Sequence, residues 1–310
     1  MTTSSPAVTP TPPRAHSSRE IARALIWPAA MIGIVAALVW ADNQGEQDRV
    51  RGILTLGLIP IVIRLERWLE LDPTQHVHAD RQTLHDLGHM LANAAVGVAA
   101  GAAMLVVPWM LAEPLASYLG ASPWPGEWPW AVQCVIAVAA ADFLGYWVHR
   151  LEHSVPSLWA YHVVHHDLTR LHILRGTREH FVTTIVRSTL IFFPLLVLGA
   201  PVETLFFYQT LAVTQGSIAH GNLRLSLPNW IHRWILTPQT HRIHHALDRA
   251  LSDSNYSSVT PLWDRMFGTF TDPTEVPPPA IGAEGGDVPG TYLGQLAHPF
   301  RTWFRRNRSA

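Results

Sequence analysis

Between Asp142 and His166 the chain reads DFLGYWVHRLEHSVPSLWAYHVVHH, and five histidines stand in it at helical spacing. His149 and His153 form one group; His162, His165 and His166 form a second. Side chains three and four residues apart on a helix share a face, so each group aims its imidazoles in one direction. A third group, His241, His244 and His245 in THRIHH, repeats the spacing of the second. Twelve of the eighteen histidines lie between His149 and His245. Imidazoles packed together without a cation would leave polar nitrogens unpaired, or would repel one another once protonated. Neutral imidazole is the commonest nitrogen ligand for a transition metal. Any fold of this chain therefore has to gather these groups around a metal centre. With His220 they offer nine imidazoles, more than one ion accepts and enough for two. Zinc, copper, iron and nickel all suit such ligands, so the donor set alone does not choose the element.

The second constraint is solvent. Charged residues make up only 15% of the 310, and four or five long apolar runs interrupt them. An all-α, polytopic membrane protein is expected. Its spans are predicted at Ala22 to Ala41, Ile53 to Leu69, Leu84 to Leu111 and Trp130 to Val148, close to the ~20 residues a crossing needs. A helical hairpin is predicted from Phe181 to Ser217, broken at Gly199-Ala200-Pro201. Trp124, Trp128 and Trp130 read as an interfacial aromatic belt. Arg64, Arg67 and the arginines from Arg150 to Arg178 fall on one side, and mostly acidic loops on the other. The positive-inside rule then puts the histidine-rich helical cap in the cytoplasm, on the cytoplasmic (inner) membrane if the source is a bacterium. The chain divides into a Pro/Ser/Thr-rich disordered tail over 1–18, membrane helices over 19–128, a catalytic region over 129–272, and a Pro/Gly-rich linker with an amphipathic tail over 273–310. A net charge of −1 gives no reason to expect nucleic acid, and the single Cys134 argues against disulfides, thiolate zinc and iron–sulfur clusters.

The order of motifs carries a resemblance. HRLEH, WAYHVVHH, THRIHH and NYSSVTPLWDRMFGTF, at these distances, resemble the fatty acid hydroxylase or sterol desaturase family, integral-membrane oxygenases with a histidine-rich di-iron centre. The resemblance implies iron ligands at His149, His153, His162, His165, His166, His241, His244 and His245, and a further one at His220 in AHGN. It also implies His180 in TREHF, although Phe181 stands where the family has proline. Gly216 occupies a position where some members carry another histidine. Two iron ions and O2 as co-substrate follow, with a bilayer lipid as substrate. Hydroxylation is the expected reaction. Desaturation with the same centre is the alternative, and a membrane metal-binding or transport protein is the rival from another class. The absence of haem-domain, flavin and cysteine-cluster motifs implies a separate electron donor: ferredoxin, rubredoxin or cytochrome b5 with its reductase.

Around the ligands, Asp142, Tyr146, His149 and His153 are spaced to share one helix face, so Asp142 and Tyr146 are candidate supporting residues. A ligating histidine commonly donates its other N–H to a carboxylate, which makes Asp142, Asp248 and Asp253 candidate acceptors. The arginines between Arg150 and Arg178 are read as positive-inside residues, with docking of an acidic donor as the alternative. His85 and His89 have ligand-like spacing; the lone His16, His172, His232 and His298 are expected at the surface or interface.

Overall fold

The computed structural model describes residues 18–306, without the side chains of 100–106, 109 and 304–306. The tail expected to be disordered, apart from Ser18, and His16 lie outside that range. All regular structure among the described residues is helical; the only β pairings are the isolated bridges Glu70–Leu223 and Ala246–Ile281.

Helix α1 (Ser18–Gln44) turns Trp27, Met31, Ile34, Leu38 and Ala41 inward, spaced 4, 3, 4 and 3 along one stripe. Its other faces stay apolar and open, with Ile32 70% and Trp40 53% exposed. Exposed polar groups stand only at its two ends, Ser18 to Glu20 and Asn43 to Gln44, as expected where the neighbour of the middle turns is lipid rather than water. After α2 (Gln47–Gly52) the chain takes one π turn over Ile53–Gly57 and continues as α3 (Leu58–Trp68). Glu66, in the last turn of α3, is fully buried and accepts the backbone N–H of Ile173 at 2.8 Å and of Asn222 at 3.1 Å. The second predicted span is thus interrupted and ends in a structural carboxylate. Helix α4 (Arg81–Leu119) starts on an Asp80 cap that accepts from the Thr83 N–H and ends at Gly120, in the left-handed conformation.

Helix α5 (Trp130–Ser154) is the central rod, packed against α6 (Pro156–His166), α7 (Phe181–Val197) and α8 (Val202–Ala219). Among the described residues only α1 and α5 are long and apolar enough to cross a membrane, fewer than the four spans expected. The arms of the hairpin fall short in length: α7, with 17 residues, spans ~26 Å against a hydrocarbon core of ~30 Å. The hairpin itself is formed where expected. Gly199 turns it at φ +89°, and a Cβ there would lie 2.5 Å from Ser122 Oγ, so only glycine fits.

Past α8 the chain becomes short polar segments: α9 (Asn229–His232), α10 (Pro238–His244), α11 (Arg249–Ser252) and α12 (Leu262–Met266), before α13 (Tyr292–Arg306) returns against α6. Helix α10 is only seven residues long, and its start is strongly specified. Pro238 occupies the first turn, and Thr237 and Thr240 cap each other's backbone N–H groups reciprocally.

Candidate metal centre

The four elements that carry histidines meet at the polar end of the bundle and sort nine of them into two buried groups. His149, His153, His162, His166 and His244 form one; His165, His220, His241 and His245 form the other, with the ligand atoms of each group all within 4.8 Å of one another. The elements interleave. Helix α6 sends His162 and His166, four residues apart, into the five-histidine group and His165 into the four-histidine group. Helix α10 sends His244 one way and His241 with His245 the other. The two sets touch where His166 and His245 stack, ring centroids 4.5 Å apart.

In the first group Nε2 atoms approach at 3.1 Å (His149–His162), 3.2 Å (His153–His166) and 3.0 Å (His162–His166). In the second the separations are 3.2 Å (His165–His220), 3.0 Å (His220–His241) and 3.1 Å (His220–His245). Between His165 and His220 the approach is not a hydrogen bond when both rings are neutral, because their opposite nitrogens hold the protons; Nδ1 of His162, His166, His241 and His245 has no hydrogen-bond partner among the described residues. Nδ1–H of His149 donates to the Tyr256 carbonyl at 2.7 Å, of His220 to Gly216 at 2.7 Å, of His244 to Ser254 at 2.8 Å and of His165 to Arg178 at 3.1 Å. His153 donates to the Asp253 carboxylate at 2.9 Å. A carbonyl can only accept, so each of these imidazoles, when neutral, points a lone pair into its group. Protonation is opposed as well: burial, then neighbouring imidazoles, push His162, His166, His241, His244 and His245 well below the usual histidine range. Burial brings His220 down to about 4. Converging lone pairs on neutral rings repel unless a cation lies between them, so the residues fit metal ions. Neighbouring nitrogens ~2.1 Å from an ion are ~3.0 Å apart at right angles and ~3.4 Å apart at the tetrahedral angle. The observed separations of 3.0 to 3.2 Å are of the size that neighbouring ligands of one ion show.

His180 stands apart from both groups. Its Nε2–H donates to the Leu296 carbonyl at 3.1 Å and its Nδ1 accepts the Val182 N–H at 3.2 Å, capping α7, so neither nitrogen is left for an ion. Asp142 likewise does not serve a histidine. Its carboxylate accepts three backbone N–H groups, from Ser258, Val259 and Thr260 at 3.0 to 3.1 Å, and pins that loop to α5. Asp264 does the same for Tyr256 and Ser257, at 2.8 and 2.9 Å. Together they fix the Tyr256 carbonyl that receives His149. The Tyr146 hydroxyl bonds Thr269 at 3.1 Å and accepts from Arg150 at 3.0 Å, and its ring stacks on Phe267. Asp248 caps α11 by accepting the Ala250 N–H; Asp253 alone of the three candidate aspartates receives a histidine.

Sequence reasoning passed over Glu152, Glu179 and Arg187. Carboxylate oxygens of Glu152 and Glu179 each lie 3.8 Å from Nδ1 of His162. Arg187, from α7, clamps both, donating from Nε to Glu152 at 2.9 Å and pairing with Glu179 at 3.0 Å. Glu152 was visible inside HRLEH, but no spacing rule links it to residue 187. The remaining histidines depart from expectation too. His89 is buried as a strut, bonded to the Glu179 carbonyl at 3.1 Å and Gln295 Oε1 at 2.9 Å. His172 and His232 are buried rather than interfacial. Arg175 and Arg178 are buried around Asp86, at 2.7 and 3.7 Å, so they present no docking face.

Fold and site together define an all-helical protein built around a buried double histidine centre that fits metal ions. A sequence model of the fatty acid hydroxylase family matches residues 134–269, which hold all nine of these histidines. The chain is 30% identical to an ornithine lipid hydroxylase of Rhizobium tropici over 279 residues, 89% of this chain and 83% of that one. It is 31% identical to the alkylglycerol monooxygenase of Homo sapiens over 159 residues, spanning 48% of this chain and about a third of that protein (32%). A fatty acid hydroxylase of Lecanicillium sp. is 30% identical over 178 residues, 52% of this chain and 47% of that one. No solved structure matches. The chain belongs to the fatty acid hydroxylase family, and it is an oxidoreductase of the hydroxylase and monooxygenase kind.

Proposed function

We propose that this enzyme is a multi-pass membrane protein that hydroxylates a C–H bond of a polar bilayer lipid, using O2 and a di-iron centre held by His149, His153, His162, His166 and His244 on one ion and His165, His220, His241 and His245 on the other. The observation that carries the reading is the pair of buried all-imidazole groups, five of whose nine rings donate outward and so turn a lone pair inward. Iron in such a site supplies the oxidising power that an unactivated C–H bond demands. The overall balance consumes one O2, two electrons and two protons per alcohol and water formed. This chain's own part is positional. Backbone carbonyls and Asp253 fix the imidazole orientations, burial keeps bulk water from the centre, and apolar helices present the substrate. A lipid is favoured because the relatives are named for ornithine lipid and alkylglycerol oxidation, and because exposed apolar side chains on α1 and α4, such as Ile32 and Val98 (78%), give the bundle a lipid-facing surface. Region 129–272 is the catalytic part in this reading, 19–128 its membrane scaffold, and the positive-inside argument turns the centre to the cytoplasm. The electrons come from a separate carrier, a ferredoxin, rubredoxin or cytochrome b5.

Purified protein loaded with iron is expected to hold about two irons per chain, one per histidine group. With a chemical or protein reductant and 18O2 it should add one labelled oxygen to a membrane lipid, read by mass spectrometry. His165→Ala and His244→Ala, one in each group, should each remove about one iron and abolish product. Full activity in either variant, or a double bond instead of an added oxygen, would overturn the hydroxylase reading.

A further inference from the structure

A cavity of about 460 Å3 lies between α6, α13 and the turn that precedes α13. Its walls include Trp159 and Ala160 on α6, Gly286 and Asp287 from the preceding turn, and His298 and Arg301 on α13. That volume suits a small polar molecule or a lipid headgroup.

Three observations say which. Asp287 and Arg301 come from different walls, and neither forms an ion pair among the described residues, so the cavity keeps one free charge of each sign. Helix α13 exposes Leu293, Phe300 and Trp303, at 75%, 45% and 56%, along one stripe, while His298, Arg301 and Thr302 lie on its other side. An apolar stripe of this kind seats a helix in the membrane interface, which sets the cavity at headgroup depth. Lastly, the Trp159 ring lies 5.1 Å from that of His153 and 5.5 Å from that of His166, so one indole separates the cavity from the five-histidine group.

We propose that this cavity binds the headgroup of a zwitterionic bilayer lipid, with its carboxylate or phosphate on Arg301 and its ammonium on Asp287. The proposal rests on the lipid reading above and narrows it: the site selects lipids carrying both charges and holds them beside the centre.

The test uses the full-length, iron-loaded chain in neutral detergent, titrated with an ornithine-headgroup lipid (both charges), phosphatidylglycerol (negative only) and diacylglycerol (uncharged), with bound lipid read by native mass spectrometry. The ornithine-headgroup lipid should bind tightest. Arg301→Ala and Asp287→Ala should each weaken it about fivefold. Arg301→Ala alone should also weaken phosphatidylglycerol, and the double swap Asp287→Arg with Arg301→Asp should restore the zwitterion. Iron content should stay at the wild-type level throughout. Indifference to Asp287→Ala, or a swap that restores nothing, overturns the proposal in favour of a general anionic surface. If the zwitterion binds as stated but no lipid is oxidised, the hydroxylase reading falls and the headgroup site stands. Lipids oxidised with binding blind to both substitutions would sink the headgroup site alone.

Discussion

His162 faces two carboxylates, Glu152 and Glu179, each 3.8 Å from its Nδ1, where His149, His153, His165, His220 and His244 each have a single acceptor. Arg187 holds both acids in place and offsets the cost of placing two negative groups beside each other. Residues that orient a ligating imidazole typically matter by 10- to 100-fold in metal affinity. Glu152→Gln combined with Glu179→Gln is therefore expected to lower iron affinity of the five-histidine group by roughly that factor, measured by chelator competition; an unchanged affinity would make the acids mere partners for Arg187. At Gly176 the constraint is steric. A Cβ would stand 3.0 Å from Nδ1 of His220 and 3.0 Å from the Ser217 Cα, so Gly176→Ala should displace His220 and deplete iron from the four-histidine group selectively. His172 has another kind of importance. It is fully buried, neither ring nitrogen has a partner, and burial followed by the Arg175 charge brings it down to about 3. The unfolded chain takes up this proton below about 6.5 while the folded one refuses it until about 3. Stability is thus undiminished above pH 6.5 and falls as pH drops towards 3. His172→Phe should flatten part of that acid limb in melting curves, and a parallel limb would exclude the effect.

At the scale of elements, the loop from Asn255 to Thr260 is what makes α5 more than a membrane rod. Asp142 and Asp264 take five backbone N–H groups of that loop between them, at Ser258, Val259, Thr260, Tyr256 and Ser257. Asp142→Ala would leave three donors unpaired, each costing about 1–3 kcal/mol if buried. The expected result is a large fall in melting temperature together with loss of the Tyr256 contact to His149, whereas a variant as stable as wild type would return Asp142 to the role of a histidine partner. The geometry explains why Asp142 misled the sequence reading. Spacing on a helix says which residues share a face, and Asp142 does share one with His149; it cannot say which distant backbone closes over that face.

The whole molecule is tied together at the centre. Four segments, the consecutive α5 and α6, the end of α8 and α10, each place histidines there, and α10 has seven residues and little apolar surface of its own. A bound ion stabilises only the state that assembles its ligands. Stripping the metal should lower the melting temperature and raise hydrogen exchange first across residues 237–245, with α1 unaffected. Uniform exchange across the chain would mean the bundle stands independently of its ions.

Read alone, the sequence already determined that the histidine groups converge and that the fold is helical. Imidazole spacing and long apolar runs are local properties, and helix geometry turns them directly into faces and spans. Nine of the ten histidines expected as ligands come together in the folded chain, and the hairpin turns at Gly199 as its neighbours imply. The partition into five and four, the exclusion of His180, and the clamp of Glu152, Glu179 and Arg187 were decided by tertiary structure alone. Each depends on which helix faces which across tens of residues, 35 from Glu152 to Arg187, or on whether a nearer backbone group takes a nitrogen first, as Leu296 and Val182 do at His180. Long-range packing sets those choices, and no local pattern encodes them.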